Sequence, residues 1–444
     1  MSNLFSIASS GLRNANAQLA TTSNNLDNYT NKSYSRQRVD TTEAPQSGGV
    51  IRVGSGVFTG NAERDYDATL NTQRNSSYSA QSDYTAQQDG LNKLDKLYTY
   101  SSTESTSLDK RINDFFSATS TLAQDPTSTA ARQTVLSNGQ SMANLFNSLS
   151  GQLQTFESTA DATINTNIEQ VNKYGAQISA LNEKISKVRA QTNAEPNDLL
   201  DERDKNVAEL SKIVGIDVIA QDGRQLNISL SDGSTLVAGS DHFDLDSKRA
   251  QTLTGGTLGG TAEFRNGELA TARQNLSNLA ESIATHVNEI QTQGYDLDGQ
   301  EGTALFAIDA SAPDAAAGIK IAQTDPRKVA AASEAKSGQK DNRNALLLAD
   351  LQNQRFQIGN TQMSFSEAYS SNVSAVGTAV KDIENRVTAQ DKVTSQLEEK
   401  QQSLSGVNTD EEFSNLMQFQ TYYKANSKIL STAMTVIDTI LQLN

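Results

Sequence analysis

The chain has 444 residues, enough for two to four domains and at least one sizeable core. Its 52 acidic residues against 37 basic ones leave a net charge of −15 with no basic block, which argues against nucleic acid and an anionic membrane surface as partners. Cysteine is absent and there are only two histidines, so disulfides, thiolate metal sites and a cysteine nucleophile are excluded and a histidine metal cluster is disfavoured; at 36% hydrophobic residues, part of the chain is expected to lack a core of its own.

The N-terminal stretch carries no basic residue before Arg13 and its apolar positions are interrupted by Ser and Asn, so it does not read as a cleavable secretory signal. Phe5, Ala8, Leu12, Ala15, Leu19, Thr22 and Leu26 then alternate by three and four, which predicts a coiled-coil helix. Asn24, Asn25, Asn28, Thr30 and Tyr34 to Gln37 form a polar cluster where that helix should end, either as turn chemistry or as a contact surface. Val50 to Val53 and Val57-Phe58, around Gly54-Ser55-Gly56, predict an isolated hairpin joining this helix to the body.

Tyr84, Leu91, Leu94 and Tyr98 predict a further helix, and the sevenfold spacing of Ile164, Val171, Ile178 and Ile185 predicts a long one over about 161–191. Strand signals sit in the middle: Val218-Ile219, alternating Leu226, Ile228 and Leu230, then Leu236-Val237, separated by Asp222-Gly223 and Asp232-Gly233. The glycines from Gly255 to Gly260 lack a following Lys and read as a flexible loop rather than a phosphate cradle. Leu269 to Ile290 carry another seam that includes His286, and Ala310 to Ala317 with Pro313 read as loop. Asp296-x-Asp298-Gly299-Gln300-Glu301 departs from a calcium loop at the sixth position and reads as a solvated acidic turn.

Val373, Val376, Val380, Ile383 and Val387 continue the helical pattern towards Leu404. The last seam is Leu416, Phe419, Tyr423, Asn426, Leu430, Ala433, Ile437 and Ile440. No apolar run is long enough to span a membrane; the longest clean one is near Ala345 to Ala349. The expected fold is therefore mainly α, a long antiparallel helical bundle or coiled coil built from both chain ends with a small β-rich inserted domain. An isolated pair of terminal helices is marginal, so the ends are expected to fold against neighbouring subunits.

No catalytic constellation is present. His242 lies beside Asp241 and Asp244 and His286 on a helical seam, both read as structural, while Glu398-Glu399 and Glu411-Glu412 are adjacent on helices and face apart. No metal, cofactor-binding or catalytic residue is assigned, and no cofactor is expected.

At its two ends the chain resembles the flagellar axial proteins. The N-terminal carrier is Ser23-Asn24-Asn25-Leu26, Asn28, Thr30 and Tyr34-Ser35-Arg36-Gln37, with Ser33 where the family usually has Gly; the C-terminal one is Ser405-Gly406-Val407-Asn408, Asp410-Glu411-Glu412, Leu416, Gln420, Tyr423, Ala425-Asn426 and Asp438. Asn197 to Asp204, Gly255 to Gly260, Glu263-Phe264-Arg265-Asn266 and Asp341 to Leu346 narrow the resemblance to the hook-associated branch at the hook–filament junction.

That resemblance implies a structural, non-enzymatic subunit, exported without a cleaved signal, with an export chaperone on the C-terminal helix. It also implies a homo-oligomeric layer with hook protein on one face and the next junction protein on the other. The division expected is 1–45 plus 405–444 as a terminal coiled-coil inner tube, 46–214 plus 262–294 plus 340–404 as a helical bundle, and 215–261 plus 295–339 as an exposed insert, short for the family. Subunit packing is assigned to Phe5, Leu12, Leu19, Leu26, Leu416, Phe419, Tyr423, Asn426, Leu430, Ile437 and Ile440, and polar lattice contacts to Asn24, Asn25, Thr30, Tyr34, Arg36 and Gln37. A hook- or rod-type protein, an adhesin displayed through the insert, and a hydrolase using His242 are the alternatives.

Overall fold

The computed structural model describes residues 2–44, 54, 56–100, 107–192, 194–221, 224–335 and 338–442. Helix α1 (Ser2–Asp27) leads to an antiparallel hairpin of β1 (Gln37–Glu43) and β2 (Val57–Arg64). Four helices follow: α2 (Ala68–Tyr100), α3 (Leu108–Gln124), α4 (Thr129–Thr192) and α5 (Asn197–Ile213). Strands β3 (Ile216–Ala220), β4 (Leu226–Leu230), β5 (Thr235–Ala238) and β6 (Asp241–His242) make one antiparallel sheet in sequence order, followed by the single turn α6 (Ser247–Ala250). Helix α7 (Gly256–Phe264) passes through a π turn (Arg265–Leu269) into α8 (Ala270–Gln293). Strand β7 (Phe306–Ile308), the turn α9 (Ala315–Gly318) and β8 (Ile319–Ile321) come next, β7 pairing with β8. After a 3-10 turn (Pro326–Lys328) come α10 (Arg343–Asp350), the paired strands β9 (Phe356–Ile358) and β10 (Thr361–Met363), and the long helices α11 (Phe365–Ser405) and α12 (Thr409–Gln442). The mainly α fold with small antiparallel sheets is the one expected.

The chain divides into two compact units. The first comprises Met1–Ser82, Asn167–Thr257 and Ala389–Asn444; the second Asp83–Thr166 and Leu258–Thr388. In the second unit one continuous core joins α3, α8, α10 and parts of α2, α4 and α11. Phe115, Phe116, Phe146, Phe306 and Phe365 are fully buried there. Phe116 stacks on Phe365 at 5.7 Å and Phe365 on Phe356 at 4.9 Å, aromatic geometry that adds to area burial. His286 stacks on Phe356 at 4.1 Å and accepts or donates one bond with Glu289 at 2.9 Å, a packing role.

In the first unit α1 and α12 lie side by side, antiparallel, because Gly11 meets Asn426 and Asn25 meets Glu412. The four-stranded sheet packs on α4 through side-chain amides. Buried Asn182 donates to the carbonyls of Leu226 and Gly239 at 2.9 and 2.7 Å and accepts from Leu226 N, and Asn172 brackets Leu245 in the same way. These amides satisfy backbone groups that an irregular segment would otherwise bury unpaired.

Three sequence expectations need correction, and one helix is longer than expected. The N-terminal hairpin pairs Val57 and Phe58 with Glu43 and Thr42, not with 50–53, which lie outside the described residues along with Ser55. Its first strand was missed because Gln37-Arg38-Val39-Asp40-Thr41-Thr42-Glu43 is nearly all polar and buries only Gln37 and Val39. The glycine stretch is not a flexible loop. Gly255 and Gly256 have φ of +79° and +64°, and a Cβ on Gly256 would run into the backbone of Ile213 and Val214. From Gly256 onward the chain is helical and buries Leu258, so these glycines allow close backbone approach. Ala315–Gly318 is a helical turn capped by Asp314 rather than loop, and the predicted 161–191 helix is the second half of the 64-residue α4. The Asp222-Gly223 turn lies outside the described residues, although β3 and β4 pair as expected.

In the acidic turn Asp298, Gln300 and Glu301 are exposed as expected, but Asp296 is not. Asp296 is 5% exposed; its Oδ1 accepts from the backbone of Asp298 and Gln300, and its Oδ2 from Lys328 Nζ at 2.8 Å, while Arg327 pairs with Asp298. Lys328 also lies 3.8 Å from Asp298, so both aspartates of the turn are paired with the chain's own cations. Among the described residues no group of three or more metal-capable side chains converges, and no helix is long and apolar enough to cross a membrane.

Candidate assembly surface of the terminal helices

The seam spacing that shapes α1 and α12 places small residues between them. Among the described residues, Ala8, Ala15 and Ala433 are the buried hydrophobic ones of the pair. Gly11 lies against Asn426, whose Oδ1 would sit 2.6 Å from an added Cβ, so the helices approach closely at that level. Leu12, Leu19 and Leu26 on α1, and Leu416, Phe419, Asn426 and Leu430 on α12, are half-buried. Phe5, Tyr423 and Ile437 are exposed, and the side chain of Ile440 lies outside the described residues. Sequence reasoning did not single out Leu4, Phe413, Met417, Ile429, Met434 and Val436, all exposed on the same two helices, with Met417 at 70%. Large apolar side chains exposed in this number on one helix pair mark a place where another surface packs.

Next to that surface the polar residues converge on one another. Asn25, 1% exposed, accepts from Gln37 N at 2.9 Å and from Tyr34 Oη at 2.8 Å, and donates to Gln37 O and Glu412 Oε2. Burial, then the charge of Asp201, pushes the Tyr34 phenol well up, so it remains a donor at neutral pH. Arg36 donates through Nε to Glu412 at 2.8 Å and through NH1 to Glu411 at 3.0 Å, while its backbone N–H donates to Ser405 O. Glu412 is buried with this partner and lies, with Asp410 and Glu411, in the first turn of α12, where negative charge suits the helix dipole. Asn408 accepts from the backbone of Asp410 at 3.0 Å and opens that turn.

The loop is also held from α5. Ser35 donates through N and Oγ to Asp201 at 3.0 and 2.8 Å, Arg64 bridges Asp201 and Asp204, and Asn197 donates to Gln37 Oε1 and Ala62 O. Burial and then Asp204 raise the nearby Tyr66 phenol to about 12.

Asn25, Tyr34, Arg36 and Gln37 are thus brought together and committed to partners within the chain. Asn24 and Thr30 are exposed, Asn24 also accepting from Asn28. Sequence reasoning missed the other half of the network: Glu411, Glu412, Arg64, Asp201 and Asp204. The signal available was the acidic first turn of α12 opposite a lone arginine in a polar loop.

The segment 91–306 matches the family model described as the flagellar hook-associated protein FlgK helical domain, and 400–443 that of the flagellar basal body rod FlgEFG protein C-terminal. The chain is 30% identical to flagellar hook-associated protein 1 of Escherichia coli K12, the alignment covering all of both chains. The chain belongs to the flagellar hook-associated protein 1 family. It is a structural component of the flagellum. The Bacillus subtilis 168 member is 23% identical over 96% of this chain and 95% of its own. The alignment with the E. coli member spans 550 positions against 444 residues here, so that relative carries segments this chain lacks. The fold matches the structure of the flagellar hook junction protein FlgK from Burkholderia pseudomallei with a TM-score of 0.69 and 18% identity, over 75% of this chain and all of that one.

Proposed function

We propose that this chain polymerises through α1 and α12 into a layer at the junction between hook and filament, with hook protein on one face and the next junction protein on the other. The observation that carries the reading is the inversion of side-chain size on the terminal pair, alanines inside and Phe413, Met417, Met434 and Ile437 outside. A pair built this way gains most of its apolar burial from neighbours, at roughly 1.5–3 kcal/mol per large side chain. The relatives' names, hook-associated and hook junction protein, support the location.

The Asn25, Arg36 and Glu412 network supports a role for the polar loop in fixing the register of α12 against α1, leaving Asn24 and Thr30 as the polar residues open to a neighbour. In this reading 1–45 with 405–444 form the inner-tube domain, 46–214, 262–294 and 340–404 a helical bundle domain, and 215–261 with 295–339 an exposed insert. The reading includes export without a cleaved signal, an export chaperone covering α12 before assembly, and no turnover of any substrate. Leu430→Asp and Ile437→Asp are expected to abolish incorporation into the flagellar junction while circular dichroism of the monomer keeps its helix content. Normal incorporation of both variants would overturn the assignment.

A further inference from the structure

Helix α11 changes character along its length, and the division of the chain into two units falls inside it, between Thr388 and Ala389. Its first half buries Phe365, Ala368, Tyr369, Val376 and Ile383 in the core of the second unit. From Ala389 onward, among the described residues, the buried side chains are Thr394, Ser405, Glu412 and Ala433, three of them polar and the fourth an alanine.

In the first unit α11 lies on the start of α2, where the side chains buried between 71 and 82 are Asn71, Asn75, Ser77 and Ser79. Hydroxyls, amides and carboxylates bond this seam. Thr394 and Ser77 share a hydroxyl bond of 2.8 Å, and Gln390 Nε2 donates to Ser77 Oγ at 2.7 Å. Gln81 donates to Asp391 and Tyr78 to Glu398, each at 2.8 Å. Of the apolar side chains on the same stretch, Leu397 is half-buried, while Val393 and Leu404 are each 46% exposed. The far end is tied through Arg36, which bonds Ser405 O and Glu412 and is itself reached by solvent.

Water replaces each of these bonds when the seam opens, so together they hold the helix far less firmly than buried apolar area would. The helix keeps its own backbone bonds as it leaves. We infer that residues 389–444 form a releasable arm: α11 beyond 388 leaves α2, opens the Arg36 clamp and takes α12 with it, while the first half of α11 stays in the second unit. The cooperative boundary then lies inside a continuous helix, where its buried apolar contacts stop, and not at the turn between α11 and α12. Release frees Val393, Leu397 and Leu404 in addition to the apolar side chains of α12. The arm is a property of the single chain and does not rest on the assembly reading.

The chain has no cysteine, so one introduced thiol reports on one place. Thr394→Cys, at a position 3% exposed, and Ala280→Cys, in the core of the second unit, are labelled with 5,5′-dithiobis(2-nitrobenzoate) on the full-length monomer. Thr394→Cys is expected to react at least about 100-fold faster, at a rate insensitive to low denaturant, which marks local opening. Equal rates, or equally steep denaturant dependence at both positions, would overturn the inference. On the unaltered chain, trypsin should cut at the exposed Lys392 and Lys400 before the exposed Lys173 of α4. Ser77→Cys with Thr394→Cys puts two thiols within bonding reach. Oxidising that pair should stop the Lys392 and Lys400 cuts until the disulfide is reduced. Cuts there that come no earlier than at Lys173, or that persist in the oxidised pair, would also overturn it.

Discussion

In the second unit the largest apolar side chains, Phe115, Phe116, Phe146, Phe306 and Phe365, are fully buried, whereas on α1 and α12 the buried hydrophobic residues are alanines and Phe413, Met417 and Met434 face solvent. Both regions are written in the same three-and-four spacing. The difference lies in how many helices stand within reach: α3, α8 and α10 close around a shared interior, while two helices side by side can cover only the narrow strip between them. Seam spacing therefore reports that a helix packs, and the size of the residue at each seam position against its burial reports whether the partner is in the same chain.

The sharpest way to break this comparison is a matched pair of truncations. Phe116→Ala should cost about 3–5 kcal/mol in chemical unfolding, because it empties a closed core. Phe413→Ala should change monomer stability by no more than about 0.5 kcal/mol and yet reduce assembly, measured by sedimentation of polymerised protein. A large monomer effect at Phe413 would mean that α12 already has its full complement of partners.

A second, smaller effect probes the packing glycines of the first unit. Gly256→Ala meets both a positive φ and the backbone of Ile213 and Val214, and should cost about 2–4 kcal/mol in denaturant unfolding. Gly233→Ala, also at positive φ but with open space around it, should cost only the backbone share of about 1–2 kcal/mol.

Next comes the polar clamp. Glu412→Gln leaves Arg36, whose side chain is 25% exposed, without its closest counter-charge, and should cost about 1–3 kcal/mol, discounted from a fully buried pair because solvent reaches Arg36. The loss should appear as faster amide exchange at the start of α12, with no change in the second unit.

The smallest effect is a pH dependence confined to the second unit. Bonds from the Ser311 hydroxyl and N–H, and then Lys320, hold the Asp309 carboxyl at about 2 against an ordinary 3.8. A depressed folded value means the contribution is complete above 3.8 and is lost as pH falls from there through about 2. Carboxyl NMR titration should place the Asp309 midpoint near that lower value, and Ser311→Ala should move it up.

Much of this was legible from residues alone, because helix seams, the Asp232-Gly233 turn and the alternation of Leu226, Ile228 and Leu230 are local signals. What stayed hidden depends on distant partners. Asn172, Asn182 and Asn344 look like neutral surface residues in sequence, yet their amides pin backbone carbonyls of segments 14–73 residues away. They explain how a chain with only 36% hydrophobic residues holds its irregular segments in place. Strand β1 escaped notice because its sequence is polar. Of the candidate site, the apolar seams were readable from spacing, but the commitment of Asn25 and Arg36 to Glu412 and of Gln37 to Asn197 was not, since these partners lie 160 or more residues away; Tyr34 is held by Asn25, nine residues back.

The most direct test of the central claim is amide hydrogen exchange on the purified monomer, read helix by helix. The account predicts weak protection along α1 and along α12 beyond its first turn, against strong protection in α3 and α8. Equal protection in all four helices would show a terminal pair that is complete within one chain, and would contradict an assembly surface there.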